Sequence, residues 1–187
     1  MRRALLSVLI ACIPVSAFSQ DLSAKFLSFL KNSITVKDVC FSPAGHCDDK
    51  LVRLIDKARG SVDIAIFSFT NRKIADALIR AKRRGVRVRV VMDKSNISNR
   101  FSVLPLLERA GIPVRIWLGQ GLMHNKYAII DDEVVETGSF NYTNSAVHRN
   151  RENFVVIKGK SLALKYAEDF NNLWTESVPV QKIFSLP

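Results

Sequence analysis

At 187 residues, 48% of them apolar, and with no internal repeat or low-complexity linker, the chain is sized and composed for one globular domain rather than a repeat array or a disordered tail. Its 28 Lys and Arg against 17 Asp and Glu leave a charge of +11. A surplus of that size points to a polyanionic partner, nucleic acid or an acidic membrane surface, unless it is only solubility charge spread over the surface.

Arg2 and Arg3 precede an apolar run from Ala4 to Ala17 broken by Ser7, Pro14 and Ser16, the layout of a secretory signal. The run is shorter than the ~20 apolar residues a spanning helix needs. Residues 1–19 are therefore expected to be removed and residues 20–187 to form a single domain with no stable membrane insertion. An uncleaved anchor, or a lipoprotein signal ending at Cys12, are the rival readings. Removal takes away two basic residues and no acidic one, so the mature chain stays at +9. Export puts Cys40 and Cys47 in an oxidising compartment, where a disulfide around Pro43-Ala44-Gly45 is expected. Zinc, with His46 as a third ligand, is the alternative, and it lacks a fourth ligand at zinc spacing.

After an amphipathic segment from Asp21 to Lys31, Ile34 to Phe41 reads as a strand. Asp48 is expected to cap a helix with Leu51, Leu54, Ile55 and Ala58 at i, i+3, i+4, i+7, closed by Gly60. Val62 to Phe69 reads as a strand, and Asn71 opens a second helix burying Ile74, Ala77, Leu78 and Ala81. Val86 to Met92 alternates, with Val86, Val88 and Val90 facing one way. Strand, helix, strand with short links is a βαβ unit, so part of the sheet should be parallel.

A third helix is expected over Val103 to Ala110, then a strand from Val114 to Leu118. Met123 to Ile130 and Val134 to Thr137 read as a hairpin about Asp131-Asp132, followed by a strand from Asn153 to Lys158. A last helix, Leu162 to Trp174, turns Ala163, Tyr166, Ala167, Phe170 and Trp174 to one face, as core rather than as a base-stacking platform. The predicted class is α/β: a mixed, largely parallel sheet between helices on both faces.

The chemistry is concentrated in His124-Asn125-Lys126 and Gly138-Ser139-Phe140-Asn141. Residues two apart on a strand point the same way, so His124 and Lys126 should project together. A lysine can neutralise the non-bridging oxygens of a phosphodiester while a neutral imidazole attacks phosphorus or carries protons. Gly138 is expected to permit a tight turn, bringing the Ser139 hydroxyl and the Asn141 amide to the same phosphate. A half-buried histidine beside a snorkelling lysine is the bland reading of His-x-Lys alone.

The complete spacing, His-x-Lys-x4-Asp-x6-Gly-Ser-x-Asn, resembles the signature of the phospholipase D superfamily, and the resemblance runs from about Val39 to Thr175. It is strongest to the small single-motif bacterial endonucleases of that superfamily. The resemblance implies a metal-independent phosphodiesterase needing no cofactor, with His124, Lys126, Asp131, Asn141 and Glu152 as the catalytic set. Lys126, Ser139 and Asn141 would hold the substrate phosphate. It also implies a homodimer, because one copy of the motif supplies one histidine where a phosphohistidine mechanism needs two. Within the set, Glu152 sits where relatives keep a carboxylate that orients the imidazole. Asp131, at the turn and at odd spacing from Lys126, is expected to fix the loop and pair with a basic group rather than perform chemistry. No metal is expected, since Asp131, Asp132, Glu133 and Glu136 lie on a turn and its following strand and can scarcely converge on an ion.

The predicted partner is nucleic acid, DNA first with RNA left open, cut without regard to sequence, on the strength of the charge and of the cluster Arg80, Lys82, Arg83, Arg84, Arg87 and Arg89. A cardiolipin-type phospholipase is the second reading, with Trp117, Leu122 and Phe140 as sparse candidates for an apolar groove. A nucleic-acid-binding module without catalysis is the third. Asn141-Tyr142-Thr143 is also a glycosylation sequon that would block the site, which favours a bacterial periplasm or external medium.

Overall fold

The computed structural model describes residues 33–183; the signal reading, Cys12 and the segment from Asp21 to Lys31 lie outside the described residues. Eight strands form one sheet: β1 Thr35–Phe41, β2 Ser61–Ile66, β3 Arg87–Asp93, β4 Val114–Trp117, β5 Lys126–Ile130, β6 Val134–Gly138, β7 Asn153–Lys158 and β8 Val178–Pro179. The helices are α1 Cys47–Asp56, α2 Arg72–Arg83, α3 Ser95–Ser98, α4 Leu104–Arg109, α5 Asn144–His148, α6 Lys160–Glu176 and α7 Val180–Ile183. Strand order is β1-β7-β6-β5-β2-β3-β4-β8.

The mixed sheet with helices on both faces agrees with the sequence reading, but it is not largely parallel. Only β2–β3 and β3–β4 are parallel; the other five pairings are antiparallel. The βαβ pattern holds for β2, β3 and β4, while the β5–β6 hairpin extends by a second antiparallel step to β7 and the edge strand β1.

Two apolar layers clamp the sheet. On one face Leu51, Ile55, Ile74, Leu78 and Leu107 from α1, α2 and α4 pack on Val62, Ile64, Val88, Val90 and Ala128. On the other, Ala163, Tyr166, Phe170 and Trp174 of α6 pack on Ala65, Val91, Tyr127, Ile129 and Val135, as the one-sided aromatic spacing requires. β2 is buried along its whole length because both layers cover it.

Local starts and stops follow side-chain chemistry. Asn71 caps α2 by accepting from the Ile74 amide at 3.2 Å. Asp48 does not cap α1: the helix begins at Cys47 after His46 (φ 50°), and Asp48 sits in the first turn, ion-paired to Lys73 at 3.1 Å. Cys40 and Cys47 form a disulfide with Cα atoms 5.7 Å apart. The hairpin turn places both Asp131 and Asp132 at positive φ, which aspartate tolerates better than most side chains.

Candidate active site

Antiparallel pairing gathers the motif at one end of the sheet. Ile66, the last residue of β2, pairs with Lys126, the first of β5. Thr137 pairs with Tyr127, and Gly138 with Phe154, so the exit of β6 and the start of β7 lie beside them. Phe67, Ser68, His124, Lys126, Ser139 and Glu152 thus all belong to this end. β5 begins two residues after His124, later than its sequence predicts, because the Asp93 carboxylate accepts from the Met123 amide at 2.9 Å and diverts the chain there.

His124 and Lys126 converge as predicted, although only Lys126 is on the strand. The ammonium lies 3.0 Å from His124 Nδ1 and donates to the His124 carbonyl at 2.6 Å. Phe67 walls the pair, with its ring 4.5 Å from the imidazole and 5.1 Å from the ammonium. His124 is exposed while Lys126 is buried. Burial lowers the Lys126 pKa, and the Glu152 carboxylate offsets part of that. The result is a desolvated cation beside an open imidazole, suited to grip an incoming phosphate.

The loop after β6 carries the other donors. A Cβ at position 138 would lie 2.2 Å from the Asn153 carbonyl oxygen, so Gly138 is required by the close approach of β7 and not by a turn of unusual φ. Ser139 donates to Glu152 at 2.6 Å, and Asn150 donates to the other oxygen of that carboxylate at 2.9 Å. Within this chain Glu152 therefore holds the Ser139 loop; no bond joins it to His124. Asn141 accepts from the Ser68 amide at 3.2 Å, tying the β6 exit to the β2 exit.

Asp131 lies at the opposite end of β5, about 16 Å of strand away at ~3.3 Å per residue. This removes it from the catalytic set. Its carboxylate accepts from the amides of Gly60, Ser61 and Arg59 at 2.7–3.1 Å, so it fixes a loop as expected, through backbone amides instead of a basic side chain. Burial would raise its pKa, but those amide bonds outweigh burial and leave it lowered.

The basic cluster is also displaced from the site. Arg80 and Arg84 pair with Asp56, and Arg87 and Arg89 with the buried Asp63, while Arg89 lies 4.8 Å from the Phe170 ring. These cations stitch α2 and the start of β3 into the fold. Phe140 is fully buried against Phe154, which withdraws it as a lipid contact. Leu122, 59% exposed, and half-buried Trp117 remain.

Some residues escaped the sequence reading. Phe67 and Ser68 reach the site only through β2–β5 register, and Asn96 holds them there. Its amide donates to the Phe67 carbonyl at 2.7 Å and accepts from the Phe69 amide at 3.1 Å. A polar residue buried just past a strand end was the available signal.

An open mixed sheet with an imidazole and a buried ammonium at one end, beside a hydroxyl and a carboxamide on the β6 exit, is the arrangement of a phospholipase D-type protein. Residues 51–174 match the family described as cardiolipin synthase, PLD-like domain. The chain belongs to the phospholipase D superfamily. It is similar to a phospholipase D from Rickettsia conorii, 41% identical over 133 residues that cover 71% of this chain and 66% of the other. It is also similar to the human mitochondrial cardiolipin hydrolase, 36% identical over 149 residues, 79% of this chain and 59% of that one. The chain thus spans about three fifths to two thirds of the length of these relatives. The structure resembles that of Nuc from Salmonella typhimurium, a phospholipase D family member, with a TM-score of 0.74 and 35% identity over 79% of this chain and 98% of that one. Among the described residues no helix is long and apolar enough to cross a membrane.

Proposed function

We propose that this protein is an exported, metal-independent, sequence-non-specific endonuclease that hydrolyses phosphodiester bonds of DNA, and of RNA, through a phosphohistidine. The observation that carries this is the pairing of exposed His124 with the buried Lys126 ammonium 3.0 Å from its Nδ1. A ring nitrogen of His124 that carries no proton forms a bond to phosphorus as the bond to the leaving oxygen breaks. A second imidazole must protonate that oxygen, then take a proton from the water that attacks phosphorus and releases His124. A single motif supplies one such group, so His124 of the partner subunit is the acid and the assembly is a homodimer. Lys126 and Asn141 stabilise the charge on the non-bridging oxygens, and Ser139, held by Glu152, shapes their pocket. The mature charge of +9 supports a polyanionic substrate, and an exported bacterial location accords with the disulfide.

A second reading is hydrolysis of an anionic phospholipid. The names of the relatives favour it, as do Leu118 and Leu122, 46% and 59% exposed on the loop leading into His124. The test is cleavage of single- and double-stranded DNA, RNA and cardiolipin vesicles by the purified protein in excess EDTA, beside His124→Ala. Nucleic-acid cutting that survives EDTA and vanishes in the variant supports the nuclease. Loss in EDTA overturns the histidine mechanism, and turnover of vesicles alone selects the phospholipase.

A further inference from the structure

We propose that the hollow between α2, α4 and the catalytic loop is a track for a single nucleic-acid strand. In it Arg72, Arg100 and Arg109 hold backbone phosphates, and Phe101 stacks on an unpaired base. The inference rests on the nuclease reading and specifies which form of substrate the site takes.

Among the described residues several exposed arginines lack a side-chain hydrogen bond or ion pair, and Arg53, Arg59, Arg83, Arg149 and Arg151 are scattered, so it is the shared hollow that sets three others apart. Arg80, Arg84, Arg87, Arg89 and Arg115 are bound to carboxylates or backbone carbonyls of the protein itself. Arg72, Arg100 and Arg109 make no hydrogen bond or ion pair with any described residue, yet all three are exposed and line one hollow of about 1240 Å³. Asp48 is the one carboxylate on its wall, and Lys73 already neutralises it at 3.1 Å. Like charges gathered on one concave surface repel each other, and a polyanion laid between them relieves that cost. Asn141 and Phe67 line the same hollow, and Phe67 also walls His124 and Lys126, which open on the neighbouring pocket, so the track ends beside the reacting pair.

The aromatic partner accounts for the choice of a single strand. Phe101 is 65% exposed on the hollow, and the Arg100 guanidinium lies 4.5 Å from its ring centroid. An exposed ring with a cation over it binds the face of an unpaired base and has no use for a base already stacked in a helix. A hollow of this volume takes in a few nucleotides of one strand.

Binding of a fluorescent oligothymidylate and of a labelled hairpin duplex would be measured by anisotropy in His124→Ala, so that cleavage does not intervene. Hydrolysis of bis(4-nitrophenyl) phosphate, a diester too short to reach the track, would be followed in the cleavage-competent chain. Arg100→Ala/Arg109→Ala is expected to weaken oligothymidylate binding at least tenfold and to flatten its salt dependence by about 0.7 in log–log slope per arginine. Phe101→Ala is expected to weaken it about tenfold. Small-diester turnover stays unchanged in both, which also reports that they are folded. Variants that bind the strand as tightly as their parent overturn the track. Duplex bound as tightly as the single strand, and weakened equally by these changes, overturns its strand selectivity. A parent that turns over the small diester but binds neither probe overturns the nuclease reading itself.

Discussion

The hydroxyl of Tyr142 donates to the carboxylate of Glu136 across 2.7 Å, and both side chains are wholly buried. Tyr142 directly follows Asn141, and its carbonyl accepts from the Thr70 and Asn71 amides at 2.9 Å. The pair therefore pins the loop that carries Ser139 and Asn141 onto the start of α2. Burial raises the Glu136 pKa to about 8, against the smaller, opposite pull of the Tyr142 bond, and the other Glu136 oxygen has no partner among the described residues.

A folded pKa of about 8 against 4.5 unfolded means that Glu136 favours the native state fully below pH 4.5, and that this contribution is lost as pH rises through 8. Glu136→Gln keeps an acceptor for Tyr142 and cannot ionise. Urea denaturation should find the variant close to wild type near pH 5 and more stable near pH 9, by on the order of a few kcal/mol. Parallel stability curves for the two proteins across that range would show that Glu136 is not neutral at physiological pH.

Much of this fold is legible in sequence because its period is. Leu51, Leu54, Ile55 and Ala58 announce α1, and the 88/90 alternation announces β3. Short elements are not: α3 and α5, with four and five residues, are too brief to show a helical period and are held by tertiary contacts. His124, Lys126 and Asn141 were legible through spacing, while Phe67, which walls the site, was not, since only sheet register brings it there. Four of the six cations of the Arg80–Arg89 cluster are paired with Asp56 and Asp63, partners that folding supplies and that a count of charges cannot see.

Asp131 separates a motif position from a reacting one. Its carboxylate gathers three backbone amides of the loop between α1 and β2. Asp131→Ala leaves them without their acceptor and is expected to lower stability by about 1–3 kcal/mol. The kcat/KM for a small phosphodiester should stay within about twofold under conditions where the variant is folded. Because its folded pKa is lowered below 3.8, the Asp131 contribution is present above pH 3.8 and lost as pH falls through the folded value. A variant that is fully stable but inactive would return Asp131 to the chemistry.

The Cys40–Cys47 bridge closes a short loop that ties β1, an edge strand, to the start of α1. For a loop of this length the chain-entropy relation gives about 2–3 kcal/mol. Cys47→Ser, or reduction of the native protein, should lower the unfolding free energy by that amount. A smaller effect would mean that β1 is secured by its pairing with β7 and by the Lys50–Asp38 ion pair at 2.7 Å.

Lys126 is the most exacting test of the site, because its charge is costly to the fold. The side chain is 7% exposed, and its ammonium is directed at His124 and the Phe67 ring rather than at a carboxylate. A buried cation without a bonded counter-ion weakens the native state, so Lys126→Met should be as stable as wild type or more so. It should also lose on the order of 10²–10³ in kcat on a small diester, the range for removing one preorganised charge from a transition state. Lys126→Arg should not restore activity, since a planar fork does not fit the position of a compact ammonium between an imidazole and a phenyl ring. Burial lowers the Lys126 pKa, so activity should fall on the alkaline side below the ordinary lysine value of 10.5, and this limb should be absent from the residual activity of Lys126→Met. Full activity in the methionine variant would show that the ammonium is structural, and would leave phosphate binding to Asn141 and Ser139.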